Sequence, residues 1–92
     1  MTPDTSPWDL LPDADGDMSN CFHTISPGLD AELRAGKRAY HYAWEFCGHV
    51  WFDRDAGVFR EDVLRFHVSQ GTREAPTLEQ LMATVNDEFG WT

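Results

Sequence analysis

The stretch from 39 to 68 reads AYHYAWEFCGHVWFDRDAGVFREDVLRFHV, and its reading decides the fold. From Tyr40 on, every second residue is large and apolar with one exception: Tyr40, Tyr42, Trp44, Phe46, Gly48, Val50, Phe52. The intervening row of Ala39, His41, Ala43, Glu45, Cys47, His49, Trp51 and Asp53 is more polar. A period of two is the repeat of a strand that buries one face. The run Asp53-Arg54-Asp55-Ala56-Gly57 has turn chemistry, with Gly57 suited to a positive φ. The stretch therefore predicts one long antiparallel hairpin over 39–68.

Pairing Phe52 with Val58 gives a register in which apolar residues oppose apolar ones. Trp44 then faces Phe66, Phe46 faces Leu64 and Tyr42 faces Val68. On the other side Glu45 faces Arg65, His49 faces Glu61 and Trp51 faces Phe59. Arg60 and Asp62 are misfits on the aromatic side, so a bulge is expected near them. With only one covering layer, Cys47, Trp51, Phe59 and Val63 stand on the sheet's second face, a contact surface in waiting.

Outward from the hairpin, residues 77–89 predict an amphipathic helix. Thr77 caps it with Gln80 three residues on, and Leu78, Leu81, Met82, Val85 and Phe89 form one stripe. Gly90 fits its C-terminal stop, and Glu79, Thr84, Asn86 and Asp87 form the opposite face. Residues 69–76 read as a loop. Ser26-Pro27 predicts the start of a short helix over 27–35, stopped by Gly36. Residues 21–25 are a candidate extra edge strand. The fold class is α+β: an antiparallel sheet covered on one face by the C-terminal helix. Residues 1–20, with three prolines and five aspartates, read as an acidic irregular arm, and 21–92 as a single domain. Within the arm, Trp8-Asp9-Leu10-Leu11 has the composition of a short docking segment, on a partner or on its own domain.

The formal charge is −9, unevenly spread. Residues 1–36 carry −6, residues 37–73 carry +1, and residues 74–92 carry −4. Two acidic flanks around a near-neutral sheet argue against direct binding of nucleic acid and for a basic protein partner. No apolar run is long enough to span a membrane, and no signal-peptide pattern opens the chain, so a cytoplasmic protein is expected.

Specific chemistry is sparse. Cys21-x-His23 and Cys47-x-His49 repeat one spacing, and two such pairs on adjacent strands would offer a Cys₂His₂ set to zinc. Cys47 with His49, and Glu61 as its orienting group, is the one candidate nucleophilic constellation, although neighbours along a strand face stand about 7 Å apart. The Asp13–Asp17 run lacks the closing glutamate of a calcium loop, Thr24 standing in its place. No phosphate loop, nucleophile elbow or zincin motif occurs. The chain is therefore expected to be an interaction protein, with no catalytic residue and no cofactor. The candidate partner-binding residues are Asp13, Asp15, Asp17, Trp51, Phe59, Asp87 and Glu88. By size and charge it is analogous to small phage inhibitors that mimic nucleic acid, of the anti-CRISPR or anti-restriction kind. The alternatives are a zinc-binding structural domain and a homodimeric regulatory protein.

Overall fold

The computed structural model describes residues 7–19, 23–43 and 46–89, with the side chains of Pro7 and Trp8 outside that set. The readings placed on Trp8, Cys21, Trp44, Glu45 and Gly90 lie outside the described residues. A single 3-10 turn, Pro7–Leu10, precedes β1 (Met18–Ser19), β2 (Thr24–Ile25), α1 (Leu29–Arg34), β3 (Ala39–Tyr42), β4 (Phe46–Asp53), β5 (Val58–Arg65), β6 (Val68–Ala75) and α2 (Leu78–Glu88). The strands form one six-stranded sheet in the order β2-β1-β3-β4-β5-β6. All pairings are antiparallel except that of β1 with β3. The α+β class and the covering C-terminal helix are as expected.

The long hairpin resolves into a four-stranded meander. Its first strand reverses between Tyr42 and Phe46, with Tyr42 paired to Cys47 and the Ala43 N–H donating to the Phe46 carbonyl. Pairing partners across this reversal have opposite parity. Ala39 and His41 therefore share a face with Phe46, Gly48 and Val50, while Tyr40 and Tyr42 join Cys47 and His49 on the other. The apparent single row of aromatics is two rows on two faces.

The register of β4 with β5 is one residue away from the expected one. Phe46 pairs with Arg65, Val50 with Glu61, and Phe52 with Phe59; Trp51 pairs with Arg60 and His49 with Asp62. The turn is built to match this register. Asp53 remains in the strand, and its carboxylate accepts from the N–H groups of Asp55 and Ala56 at 3.0 and 3.2 Å. Gly57, at φ 69, closes a four-residue loop by donating to the Asp53 carbonyl at 2.8 Å. A one-residue slip exchanges the faces of a whole strand. Phe59 and Val63, expected on the open face, are fully buried in the core, and the misfits Arg60 and Asp62 leave the core side.

Of the segment 69–76 expected as a loop, residues 69–75 are strand. Phe66 and His67, at φ 51 and 66, form the tight reversal between β5 and β6. Two positive φ values are the mark of a hairpin turn usually built from Asn and Gly, so the sequence carried no signal for it. The irregularity in pairing falls on β6 opposite Asp62–Leu64, with Gly71 at φ 94, and β4–β5 pairing is regular. Along β6, Gln70 donates to the Val68 carbonyl and Arg73 to the Gln70 carbonyl. A bulge and self-occupied carbonyls blunt an edge strand against further pairing.

Both helices cover the same face. Leu29 and Leu33 of α1 lie over β4, and Leu78, Leu81, Met82 and Val85 of α2 lie over β5 and β6. The Thr77 hydroxyl accepts from the Gln80 N–H at 3.2 Å, as the sequence predicts. Asn86 corrects the helical wheel, being only 4% exposed. The N-cap of α1 is Gly28 in the left-handed region, not Ser26. The Ser26 hydroxyl instead bonds the backbone of Asp17, donating to its carbonyl and accepting from its N–H, both at 2.9 Å. At the other end, Gly36 donates to Leu33 and Lys37 to Glu32, the paired bonds of a Schellman stop. The expected edge strand near 21–25 is present as Thr24–Ile25. The segment read as an arm joins the sheet through β1, and its Met18 is fully buried.

Truncation separates this register from the alternative one. Phe59→Ala is expected to lower unfolding free energy by about 3–5 kcal/mol, the range for a buried Phe. Phe66→Ser, at a ring that is 71% exposed, should stay within about 0.5 kcal/mol. Urea unfolding of the two variants checks it; the opposite ranking would restore the other register.

Candidate functional site

On the core face, three strands assemble a buried polar pair. His41 of β3 and Glu61 of β5 are both fully buried, and His41 Nδ1 lies 3.0 and 3.1 Å from the two carboxylate oxygens. Between them, on β4, stands Gly48, which pairs with His41. A Cβ at this position would collide with the Glu61 carboxylate, so the glycine is the opening through which Glu61 crosses β4. The ring of Phe46 meets His41 edge-on at 6.0 Å. His41 Nε2 is enclosed without a hydrogen-bond partner among the described residues. The sequence reading placed His41 on the polar row and paired Glu61 with His49; the signal that could have found the pair is Gly48, the one gap in the apolar row.

This geometry dismantles the proposed nucleophilic constellation. Glu61 faces the core and holds His41, whereas Cys47 and His49 face outward. Burial, and then the charge of Glu61, push the Cys47 thiol up; burial pulls the His49 imidazole down. Both directions favour neutral groups, the reverse of a thiolate–imidazolium pair. The zinc set is separated as well. His23 precedes β2, and β1 and β3 stand between β2 and β4, a distance of about 14 Å at ordinary strand spacing. Among the described residues no group of three or more His, Cys, Asp and Glu is placed to hold a metal ion.

The outward face carries Tyr40, Tyr42, Cys47, His49 and Trp51, and the N-terminal segment lies across part of it. Asp13 bridges to Arg38 in the backbone, and its carboxylate accepts from the Arg38 guanidinium at 2.7 Å and from the Tyr40 hydroxyl at 3.3 Å. Asp9 lies 3.6 Å from the same guanidinium. Tyr40 stacks on Tyr42 and meets His49 edge-on. Beside this seam, Leu11, Trp51, Phe52, Asp53, Arg54 and Arg60 line an open groove of about 420 Å³. Trp51 is half-buried in it, and Arg60 is held by Asp53 at 2.8 Å and Glu74 at 3.0 Å.

The seven named partner-binding candidates thus scatter. Asp15 and Asp87 are exposed, Asp17 is half-buried, and none has a basic partner among the described residues. Asp13 is tied to Arg38, and Glu88 is held by Arg73 through two bonds of 2.7 and 2.8 Å. Trp51 faces outward. Phe59 belongs to the core.

Two measurements follow from these pairs. Removing one member of the buried pair, by His41→Leu or Glu61→Met, should cost about 3–5 kcal/mol, while the double change His41→Leu with Glu61→Met should cost less than the two singles together. A urea-unfolding double-mutant cycle reads this; additive costs would mean the pair is not coupled. The outward pairs contribute to the acid limb. The guanidiniums of Arg38, Arg60 and Arg73 hold Asp13, Asp53 and Glu88 below their ordinary values of 3.8, 3.8 and 4.5. Folded values below unfolded ones mean a contribution present above the unfolded values and lost as pH falls through the folded ones. In Arg73→Gln, a carboxyl NMR titration should find Glu88 moved up toward 4.5; an unchanged midpoint would deny the coupling.

Comparison of the chain with family models, with curated proteins and with solved structures finds no match in any of the three.

Proposed function

We propose that the chain is a small acidic protein–protein interaction module whose partner is a basic, nucleic-acid-handling protein. In the sharper form it is an inhibitor of the phage type, presenting carboxylates where that partner receives phosphates, and it works in the cytoplasm. One observation carries the reading. Five of the seven lysines and arginines are held in internal ion pairs: Arg34 with Asp30, Lys37 with Glu32, Arg38 with Asp9 and Asp13, Arg60 with Asp53 and Glu74, Arg73 with Glu88; Arg54 donates to the Arg34 carbonyl. The excess charge is left on Asp15, Asp17, Asp55, Glu79 and Asp87, which have no basic partner among the described residues. A surface whose cations are neutralised at short range projects a negative field at long range. Trp51, outward and half-buried in its groove, is the anchor type that dominates interface energies.

Salt and charge test the reading together. Capture from the source cells on wild-type protein should retain a basic nucleic-acid-handling protein at low salt and release it as salt rises. The triple change Asp15→Asn, Asp17→Asn, Asp87→Asn should weaken retention through slower association, with stability within about 1 kcal/mol of wild type. Trp51→Ala should act on the dissociation rate. Retention that ignores both salt and the triple change would sink the proposal.

A further inference from the structure

At the far edge of the sheet, β2 and α2 enclose a second groove of about 200 Å³, lined by His23, Ile25, Glu79, Met82, Ala83 and Asn86. Its composition is unusual for a helix flank. Asn86 is 4% exposed, and its Oδ1 is enclosed with no hydrogen-bond partner among the described residues. Asn is a poor helix former, so local propensity does not account for it in the last turns of α2. Buried side-chain acceptors are ordinarily satisfied, and turning the carboxamide of this groove-lining residue would let a donor from outside satisfy the enclosed oxygen. The carboxamide turns about its broad χ2, so the oxygen can be presented to the groove. Ile25, Met82 and Ala83 supply apolar walls. Glu79, exposed and without a basic partner among the described residues, stands seven residues away along α2, about 10 Å by helical rise. The volume is below the roughly 300–1,000 Å³ of small-molecule sites and is of side-chain size.

We propose that this groove receives an arginine side chain of a protein partner. The stem lies on Ile25 and Met82, the guanidinium donates to Asn86 Oδ1, and the Glu79 carboxylate draws the cation in. Charge complementarity selects the occupant: the groove offers an acceptor, an anion and an apolar wall, and no basic side chain but His23. Guanidinium is favoured over ammonium because it is less strongly hydrated and carries donors on a flat fork that reaches an enclosed oxygen. That the arginine belongs to a basic protein rests on the function proposed above; the groove's own chemistry does not.

The test uses the full chain and N-acetyl-arginine amide as the probe, followed by ¹⁵N NMR. Saturable shifts are expected at the Asn86 side-chain amide and at the Ala83 backbone amide. The neutral isostere N-acetyl-citrulline amide should bind at least about tenfold more weakly, as loss of a charge-assisted hydrogen bond implies. N-acetyl-lysine amide should also be weaker. Asn86→Leu, which keeps the branched shape and removes the acceptor, should weaken the arginine probe by about tenfold or more. Glu79→Gln, at an exposed site that leaves folding untouched, should weaken it by about two- to fivefold and carries the test should Asn86→Leu fail to fold. Absence of saturable shifts at these positions, equal binding of citrulline or lysine, or indifference to Glu79→Gln would overturn the assignment. Failure of the probe with salt-sensitive capture intact sinks the groove alone; a probe response with capture indifferent to charge sinks the acidic-module reading and leaves the groove standing.

Discussion

A carboxylate reaches an imidazole two strands away only where the strand between them lacks a side chain. His41 on β3 and Glu61 on β5 meet across β4 at Gly48, with both partners wholly removed from water. Two strand spacings are about 10 Å, within reach of these two side chains combined when nothing intervenes. The rest of the sheet depends on this arrangement. Slipping β5 by one residue would withdraw Glu61 and turn Arg60 or Asp62 inward, where no counterpart waits. A buried charge without a partner is among the costliest defects a small core can carry. The pair therefore selects the register, and the register sends Phe59 and Val63 to the core and Trp51 to the outside.

The layering follows. Both helices settle on the face that holds the pair, and the ring of Phe89 meets Phe46 at 5.2 Å beyond the end of α2. Among the described residues the opposite face receives the N-terminal segment, pinned at Arg38 by Asp9 and Asp13. One side is thus sealed by hydrophobic packing and the other partly closed by electrostatics. A half-covered face with Trp51 and the stacked tyrosines, beside carboxylates free of internal pairing, is where a partner has most to gain from contact.

Charge is distributed by the same logic. Five of the seven bases are drawn into local pairs, and the two acidic flanks keep their sign. Asp15 and Asp17 adjoin β1, and Asp87 lies on α2 between Asn86, which shares a groove with Ile25 of β2, and Glu88, which is tied to Arg73 on β6.

Local chemistry was legible where residues report on their own backbone. The stripe of α2, its Thr77 cap, the Gly36 stop and the presence of a turn ending at Gly57 were readable from the sequence, because helix periodicity and turn propensity act over a few residues, although the strand runs through Asp53. Strand alternation was also readable, but its phase was not. An alternating row continues unbroken through a reversal, so Tyr40 and Phe46 looked alike although they face opposite ways. The turn at Phe66-His67 left no trace because its residues are atypical for positive φ, and β6 was lost with it. The candidate site suffered most. Trp51 was placed outward correctly, but Phe59 followed the wrong register, and Glu61 was assigned to His49 because charge matching between neighbouring strands is satisfied by more than one alignment. The choice among alignments is made by contacts across three strands and a helix, above all by the space at Gly48, and such contacts exist only once the chain has folded.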